Sequence, residues 1–285
     1  MENSRIIASL TDFGTRDPFV GIMKGVILGI NPSAVLVDLG HDVEPGGVRA
    51  ASFALRMAFP YFPESTIFLA VVDPGVGTER TAIAVEVEGK IIVCPNNGLP
   101  SWVLQDRKPG LVVELTEPRF HLPDVSRIFH GRDVFAPVAA HLSKGAALSD
   151  LGPAVNNLDT FDLPEVFVRT ESLQGEVVYI DRFGNLITNI DRESLEKWLS
   201  GVSGGRISMQ LGSRDINGIS QAYGDVPREH TMALISSSGF LEIGMNQGNA
   251  AQHLGIDAGF PVMVYNIPPN RTIESGLDKQ KGPKR

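Results

Sequence analysis

Up to about residue 165 the chain alternates short apolar runs with segments whose apolar residues recur three and four apart, and no other feature constrains its fold so tightly. RIIASLTDFG, AVLVDLG and IFLAVVDPG read as strands, each running into a polar or glycine-bearing loop. DPFVGIMKGVILGINP and PGGVRAASFALRMAFPYFP read as helices, stopped at Asn31-Pro32 and at Pro60. TAIAVEVEGKIIVCP reads as a hairpin around Glu88-Gly89. Strand–helix–strand repetition predicts an α/β domain with a largely parallel sheet. In such sheets ligands gather outside the carboxyl ends of the strands, where the loops TDFG, DLGHD and DPGVG fall.

Beyond residue 165 the pattern changes. EVVYIDRFGNLITNI, GRISMQLG, HTMALISSSGFLEIGMN and FPVMVYNIP are short alternating stretches between Gly and Asn turns, and only RESLEKWLS looks helical. This predicts a smaller, all-β, barrel-like domain. The expected organisation is an α/β domain over 1–164, a β-barrel domain over 165–275 and a basic tail, 276–285, expected to be disordered. LGPAVNNLDTFDLPEV is the expected linker.

With 285 residues, 42% hydrophobic and 20% charged, the chain has the composition of a soluble globular protein. A formal net charge of −8 argues against nucleic-acid binding, which needs concentrated Lys and Arg. No stretch reaches the roughly 18 apolar residues of a membrane span, and the N-terminus lacks the pattern of a signal peptide, so a cytoplasmic location is expected. The single cysteine, Cys94, lies in IIVCP and reads as a small buried residue. The histidines show no metal-ligand spacing, and GxxxxGK[ST], GxGxxG after the first strand, HExxH and GxSxG are all missing. No metal or cofactor is expected.

Three stretches carry candidate chemistry. DPGVGTER sets Asp73 and Arg80 at the two ends of a glycine-rich loop. FHGRDVFAP places His130 ahead of a helix-like run, and histidine is the side chain most easily tuned to exchange protons near neutral pH. An acid, a guanidinium and an imidazole could together orient one small nucleophile. TDFGTRD ends the first strand with Asp12, suited to a ribose diol; the alternative is that Asp12 and Asp17 cap the following helix. In the second half, Asn185 and Asn246 suit a base edge or an amino-acid head group, or simply form turns.

TDFG, DLGHDV, FLAVVDPGVGTER, NNG (96–98), FHGRDVFAP, DRFGNLITNI and SSGFLEIGMNQGNAA occur in this order over residues 5–267. As a set they resemble the S-adenosyl-L-methionine hydroxide adenosyltransferases, the adenosine-forming relatives of fluorinating and chlorinating enzymes. The resemblance implies an α/β domain joined to a β-barrel, in a homotrimer whose active sites lie where one subunit's N-domain meets the next subunit's C-domain. It implies Asp73, Arg80 and His130 as the catalytic set and Asp12 as the ribose ligand. Asn97 joins the substrate contacts, Asp181 and Ser237 lie on the methionine side, and Asn185 reads the base, with Asn246 near the adenine. Where the fluorinating enzymes carry an arginine after the serine, this chain has Ser238, so the methionine carboxylate must be held differently. The halogenating relatives lack the Asp–Arg–His set, so water or hydroxide is the expected nucleophile and adenosine and L-methionine the expected products. Competing readings are a halogenase of the same family, a non-catalytic S-adenosylmethionine or adenosine binder, and a metal-dependent nucleosidase.

Overall fold

The structure is a computed structural model that describes residues 5–202 and 206–267. The basic tail 276–285 lies outside the described residues. The chain divides at Leu163/Pro164 into two units, each with its own core.

The first unit is a six-stranded sheet. Its strands are β1 (Ile6–Thr11), β2 (Val35–Gly40), β3 (Ile67–Val71), β4 (Ala82–Val87), β5 (Lys90–Pro95) and β6 (Val112–Glu114), in the order β2-β1-β3-β5-β4-β6. β2, β1, β3 and β5 run parallel, while β4 and β6 join antiparallel at one side. The largely parallel sheet is as expected. Helices α1 (Phe19–Ile30), α2 (Val48–Ala58) and α3 (Ala136–Ser143) cover it.

Alternation within the strands builds a core on each face. Ile7, Ile67, Leu69 and Val71 pack with Met23, Ile27 and Val138 from α1 and α3. Ala8, Leu10, Phe68 and Ala70 pack with Ala51 and Leu55 from α2. β3 is buried along its whole length, which is why it reads as an unbroken apolar run. The β4–β5 hairpin turns at Glu88 and Gly89 with φ of +49° and +72°, the pair of positive values that matches the strands' twist. Cys94 is buried in the second of these cores, and burial pushes its thiol pKa up.

The expected linker behaves differently. Val155 and Leu158 pack on the α2 side of the sheet, and the Ala154 bridge to Val113 extends the β6 edge. Asp159 N–H donates to Asn96 Oδ1 and Phe161 N–H to Ser101 Oγ. Up to Leu163 this segment is a strap on the first unit. Its Pro, Asn and Asp content reflects irregular backbone and not a free tether.

The second unit contains β7 (Phe167–Val168), β8 (Ser172–Ile180), β9 (Leu186–Asp191), β10 (Arg206–Leu211), β11 (Arg214–Asn217), β12 (Thr231–Ile235), β13 (Phe240–Met245) and β14 (Pro261–Ile267). They follow one another as β11-β10-β14-β8-β9-β13-β12, with β7 added to β8, and every pair is antiparallel. Ser220 N–H donates to Ala233 O at 2.7 Å, tying the chain after β11 back to β12, so the sheet is barrel-like and nearly closed. Its core includes Leu173, Leu186, Ile190, Val262 and Trp198. Trp198 comes from α4 (Arg192–Ser200), the expected helix, which Asp191 caps by accepting from Ser194 N–H. A second helix, α5 (Ala250–Leu254), is too short to leave a periodic signature.

Phe68 is fully buried, stacked on Phe59 with ring centroids 5.1 Å apart. Phe68→Ala is expected to cost about 3–5 kcal/mol. Urea denaturation should show the loss, and hydrogen exchange should place lost protection in β1, β3 and β5.

Candidate functional site

The carboxyl ends of β1 and β3 lie side by side, with Thr11 in register with Val71. The chain therefore leaves the sheet into the Asp12 and Asp73 loops at neighbouring points. A chain of side chains running from buried Thr11 and His41 out to exposed Asp38 braces the first loop: Thr11 Oγ1 accepts from Phe13 N–H and bonds His41 Nδ1 at 2.9 Å, while His41 Nε2 meets Asp38 Oδ1 at 3.0 Å. Asp12 does not cap α1. That helix starts after Pro18 without a side-chain cap bond, and Asp12 Oδ2 instead accepts from Gly46 N–H at 2.8 Å. Gly46 also lies against Pro74, so the Asp12 and Asp73 loops share a neighbour.

The loop from Asp73 to Arg80 folds back on itself. Val76 N–H donates to Asp73 O, and both Thr78 N–H and Thr78 Oγ1 donate to Gly75 O. Gly77 has φ +78°, and a Cβ there would sit 2.5 Å from Arg127 O, so only glycine lets the loop press on the segment leading to His130. The two ends of the loop then meet. Arg80 Nε donates to Asp73 Oδ1 at 3.0 Å and Arg80 Nη2 to Asp73 Oδ2 at 2.5 Å, with the two side chains only 8% and 6% exposed. Arg80 Nη2 also contacts His130 Nδ1 at 3.2 Å, and the guanidinium lies over the Phe135 ring at 5.5 Å.

His130 stands at the start of a π-helical turn, Gly131–Phe135, that runs into α3. Such turns recur at functional sites because they re-aim side chains within a helix. Gly131 has no side chain to spare: a Cβ would lie 3.2 Å from the Phe13 ring. The residue after Asp12 is thereby packed against the residue after His130. Asp133, fully buried, accepts from Ser126 N–H and from Arg132, which anchors the turn.

These neighbours shift the titrating groups. Burial raises the Asp73 carboxyl above its ordinary value; Arg80, His130 and the Gly75 N–H offset this without cancelling it. Burial, and then the charge of Arg80, lowers His130, with Asp73 and Asp133 acting the other way. Asn97 lies at the end of β5, where Nδ2 donates to Val72 O and Oδ1 accepts from Leu99 N–H, fastening that strand end beside Asp73.

In the second unit the chain brings Asp181 and Asn185 into direct contact. Asp181 Oδ1 accepts from the backbone N–H of Phe183 and of Asn185, and Oδ2 accepts from Asn185 Nδ2 at 2.9 Å. Turn chemistry and a projecting amide therefore coexist. Ser237 and Asn246 lie at opposite ends of β13, whose length is about 20 Å. Ser237 is in the β12–β13 turn, where Ser236 Oγ and Ser238 Oγ are 2.7 Å apart, whereas Asn246 Nδ2 donates to Val226 O.

Sequence reasoning passed over Tyr223 and Glu242. The Tyr223 hydroxyl donates to Glu242 Oε1 at 2.5 Å and accepts from Asn185 Nδ2 at 3.3 Å. Glu242 had a legible signal, an acid inside a strand buried on both faces; Tyr223, in a single 3-10 turn, Tyr223–Asp225, had none. Burial raises the pKa of Glu242, Tyr223 opposes this, and Asp181 adds to it. Among the described residues there is no group of three or more His, Cys, Asp or Glu placed to hold a metal ion, and no helix long and apolar enough to cross a membrane.

Residues 7–152 match the SAM hydroxide adenosyltransferase N-terminal domain, and residues 175–263 match the C-terminal domain of the same name. The chain is 39% identical over 267 residues to an (R)-S-adenosyl-L-methionine hydrolase of Thermus thermophilus, covering 91% of this chain and 99% of that one. A fluorinase of an Actinoplanes species is more distant, 28% identical over 296 residues, covering 91% and 97%. A solved structure of an uncharacterized conserved protein from Thermotoga maritima matches with a TM-score of 0.85 at 36% identity, covering 91% of this chain and all of the other. The chain belongs to the SAM hydroxide adenosyltransferase family.

Proposed function

We propose that this protein is an enzyme that hydrolyses S-adenosyl-L-methionine to adenosine and L-methionine, water attacking the ribose 5′ carbon as the sulfonium departs. The observation that carries the reading is the hydrogen-bonded set Asp73–Arg80–His130 at the carboxyl edge of the parallel sheet. The hydrolase name of the similar Thermus thermophilus protein supports it and points to the R sulfonium epimer.

The sulfonium is already a good leaving group, so neither metal nor cofactor is needed for its departure. The site must instead align an oxygen nucleophile and take its proton, and alignment alone is worth on the order of 7–11 kcal/mol. The hydrogen bonds divide the work. A guanidinium can only donate, so His130 Nδ1 is an acceptor toward Arg80 and the neutral ring carries its hydrogen on Nε2. That N–H can hold the water but cannot take its proton. Asp73 keeps acceptor capacity beyond the lone pairs facing Arg80 and the Gly75 N–H, and its raised pKa makes it the better base. Asp73 is thus the proton acceptor, His130 the orienting donor, and Arg80 the group that fixes both. Protons balance: one hydrogen of water passes to Asp73, the hydroxyl goes to C5′, and the C–S electron pair stays with methionine.

Asp12 would hold the ribose, Asp181 and Ser237 the methionine side, and Asn185 the base, with Asn97 and Asn246 as further substrate contacts. We further infer a cytoplasmic homotrimer in which each pocket is completed by a neighbouring subunit. Exposed apolar side chains in the first unit, among them Phe19, Ile22, Leu28 and Ile128, support self-association. A halogenase would need a halide in place of the water that these three polar side chains suit.

Incubation with S-adenosylmethionine in ¹⁸O-labelled water should give adenosine with the label in its 5′ hydroxyl, read by mass spectrometry. A 5′-halogenated nucleoside, free adenine, or intact substrate bound to folded protein would each refute the assignment. Asp73→Asn should lower kcat by on the order of 10²–10⁴ while substrate affinity stays within a few-fold. The tautomer argument is tested separately by NMR titration, which should place the His130 pKa below the 6.5 of ordinary imidazole. A pKa lowered in the fold means that folding favours the neutral ring, so activity should fall as pH drops through that value. Arg80→Gln removes a positive neighbour and should move the His130 titration upward.

A further inference from the structure

The turn at Asp181–Asn185 leaves one polar atom over. Asn185 is 5% exposed, and its amide offers two N–H donors and one carbonyl acceptor. One N–H goes to Asp181 Oδ2 at 2.9 Å and the other to the Tyr223 hydroxyl at 3.3 Å. Tyr223 gives its own hydrogen to Glu242 Oε1 at 2.5 Å, so toward Asn185 it can only accept. Glu242 is fixed in turn, 4% exposed within β13 and in register with Ile187 of β9.

The same register sets Gly244 beside Asn185. A Cβ at Gly244 would lie 2.9 Å from the Tyr223 ring and 3.1 Å from Asn185 Oδ1, so the missing side chain lets ring and amide close together. The amide cannot turn over. Reversal would put Oδ1 against the Asp181 carboxylate and against a hydroxyl whose hydrogen points elsewhere. Of the polar atoms in the Asn185 side chain, Oδ1 alone has no partner among the described residues.

Resting on the reading that Asn185 meets the base of the substrate, we infer that Tyr223 and Glu242 are positioning residues that hold the Asn185 amide with its carbonyl toward the ligand. The second unit then accepts an N–H donor and selects a 6-aminopurine over a 6-oxopurine. The exocyclic amine of adenine supplies the hydrogen that Oδ1 lacks; the carbonyl of hypoxanthine sets lone pairs against lone pairs. Sites that recognise a polar group in this way reject the analogue without it far more strongly than apolar pockets do.

The test compares adenosine and inosine binding by calorimetry, together with S-adenosylmethionine turnover, in wild type, Tyr223→Phe, Glu242→Gln and Glu242→Leu. The wild type should prefer adenosine. Tyr223→Phe should lower that preference roughly tenfold and raise KM by a similar factor, with kcat within about twofold. Glu242→Gln retains an oxygen that accepts from Tyr223 and should keep the wild-type preference, while Glu242→Leu should lose it. Should Tyr223→Phe fail to fold, the contrast between the two Glu242 variants decides the question. Equal loss of affinity for both nucleosides, or a flat wild-type preference, overturns the inference. A wild type that releases labelled adenosine yet shows a flat preference sinks this inference alone. One that neither turns over nor binds adenosine sinks the hydrolase reading with it.

Discussion

The bidentate pair between Asp73 and Arg80 is the contact on which the edge of the first sheet depends. Both side chains are almost withdrawn from solvent, and removing one partner of such a pair typically costs about 3–5 kcal/mol because the other charge stays buried. Its planar fork can form only if the loop returns on itself, which requires Gly77 in a left-handed conformation pressed on Arg127 O. The same guanidinium faces His130 and lies over Phe135. One residue thus joins the β3 loop, the π-helical turn and the core beneath them. Lysine could not replace it, since a point charge supplies neither the fork nor the flat face.

The outline of both units was legible in the sequence because local periodicity controls it. β3 reads as a strand because it is buried on both faces, and β4–β5 reads as a hairpin because Glu88-Gly89 can adopt two positive φ values. The Asp73–Arg80–His130 grouping was legible for a different reason. A tight glycine loop with charged ends can close on itself, and a histidine before a helix-like run had to stand at its start.

What stayed hidden depends on contacts between distant residues. Polar composition in 151–166 suggested a tether, yet Val155 and Leu158 pack on the sheet, and the Ala154 bridge and the Asp159 and Phe161 N–H bonds hold the segment there. Asp12 looked equally able to cap α1, and only the approach of Gly46 decides against it. Asn185 could be recognised as an amide in a turn. The direction of that amide depends on Tyr223 and Glu242, 38 residues away in the first case and linked to each other across 19. No window short enough to carry periodicity contains that information.

The opposite shifts of Asp73 and His130 have a common origin and a consequence for the substrate. Burial penalises charge on either group, which raises a carboxyl and lowers an imidazole. With His130 neutral, the Asp73–Arg80 pair leaves the three side chains without net charge. An imidazolium beside Arg80 would instead set two positive charges toward a ligand whose reacting end is a sulfonium cation, and repulsion at such range grows as the surroundings lose water. The arrangement that keeps a lone pair on His130 for Arg80 therefore also keeps the site open to a cation. In the proposed hydrolysis, Asp73, a carboxylate held above its ordinary pKa, is then the group that takes a proton from water.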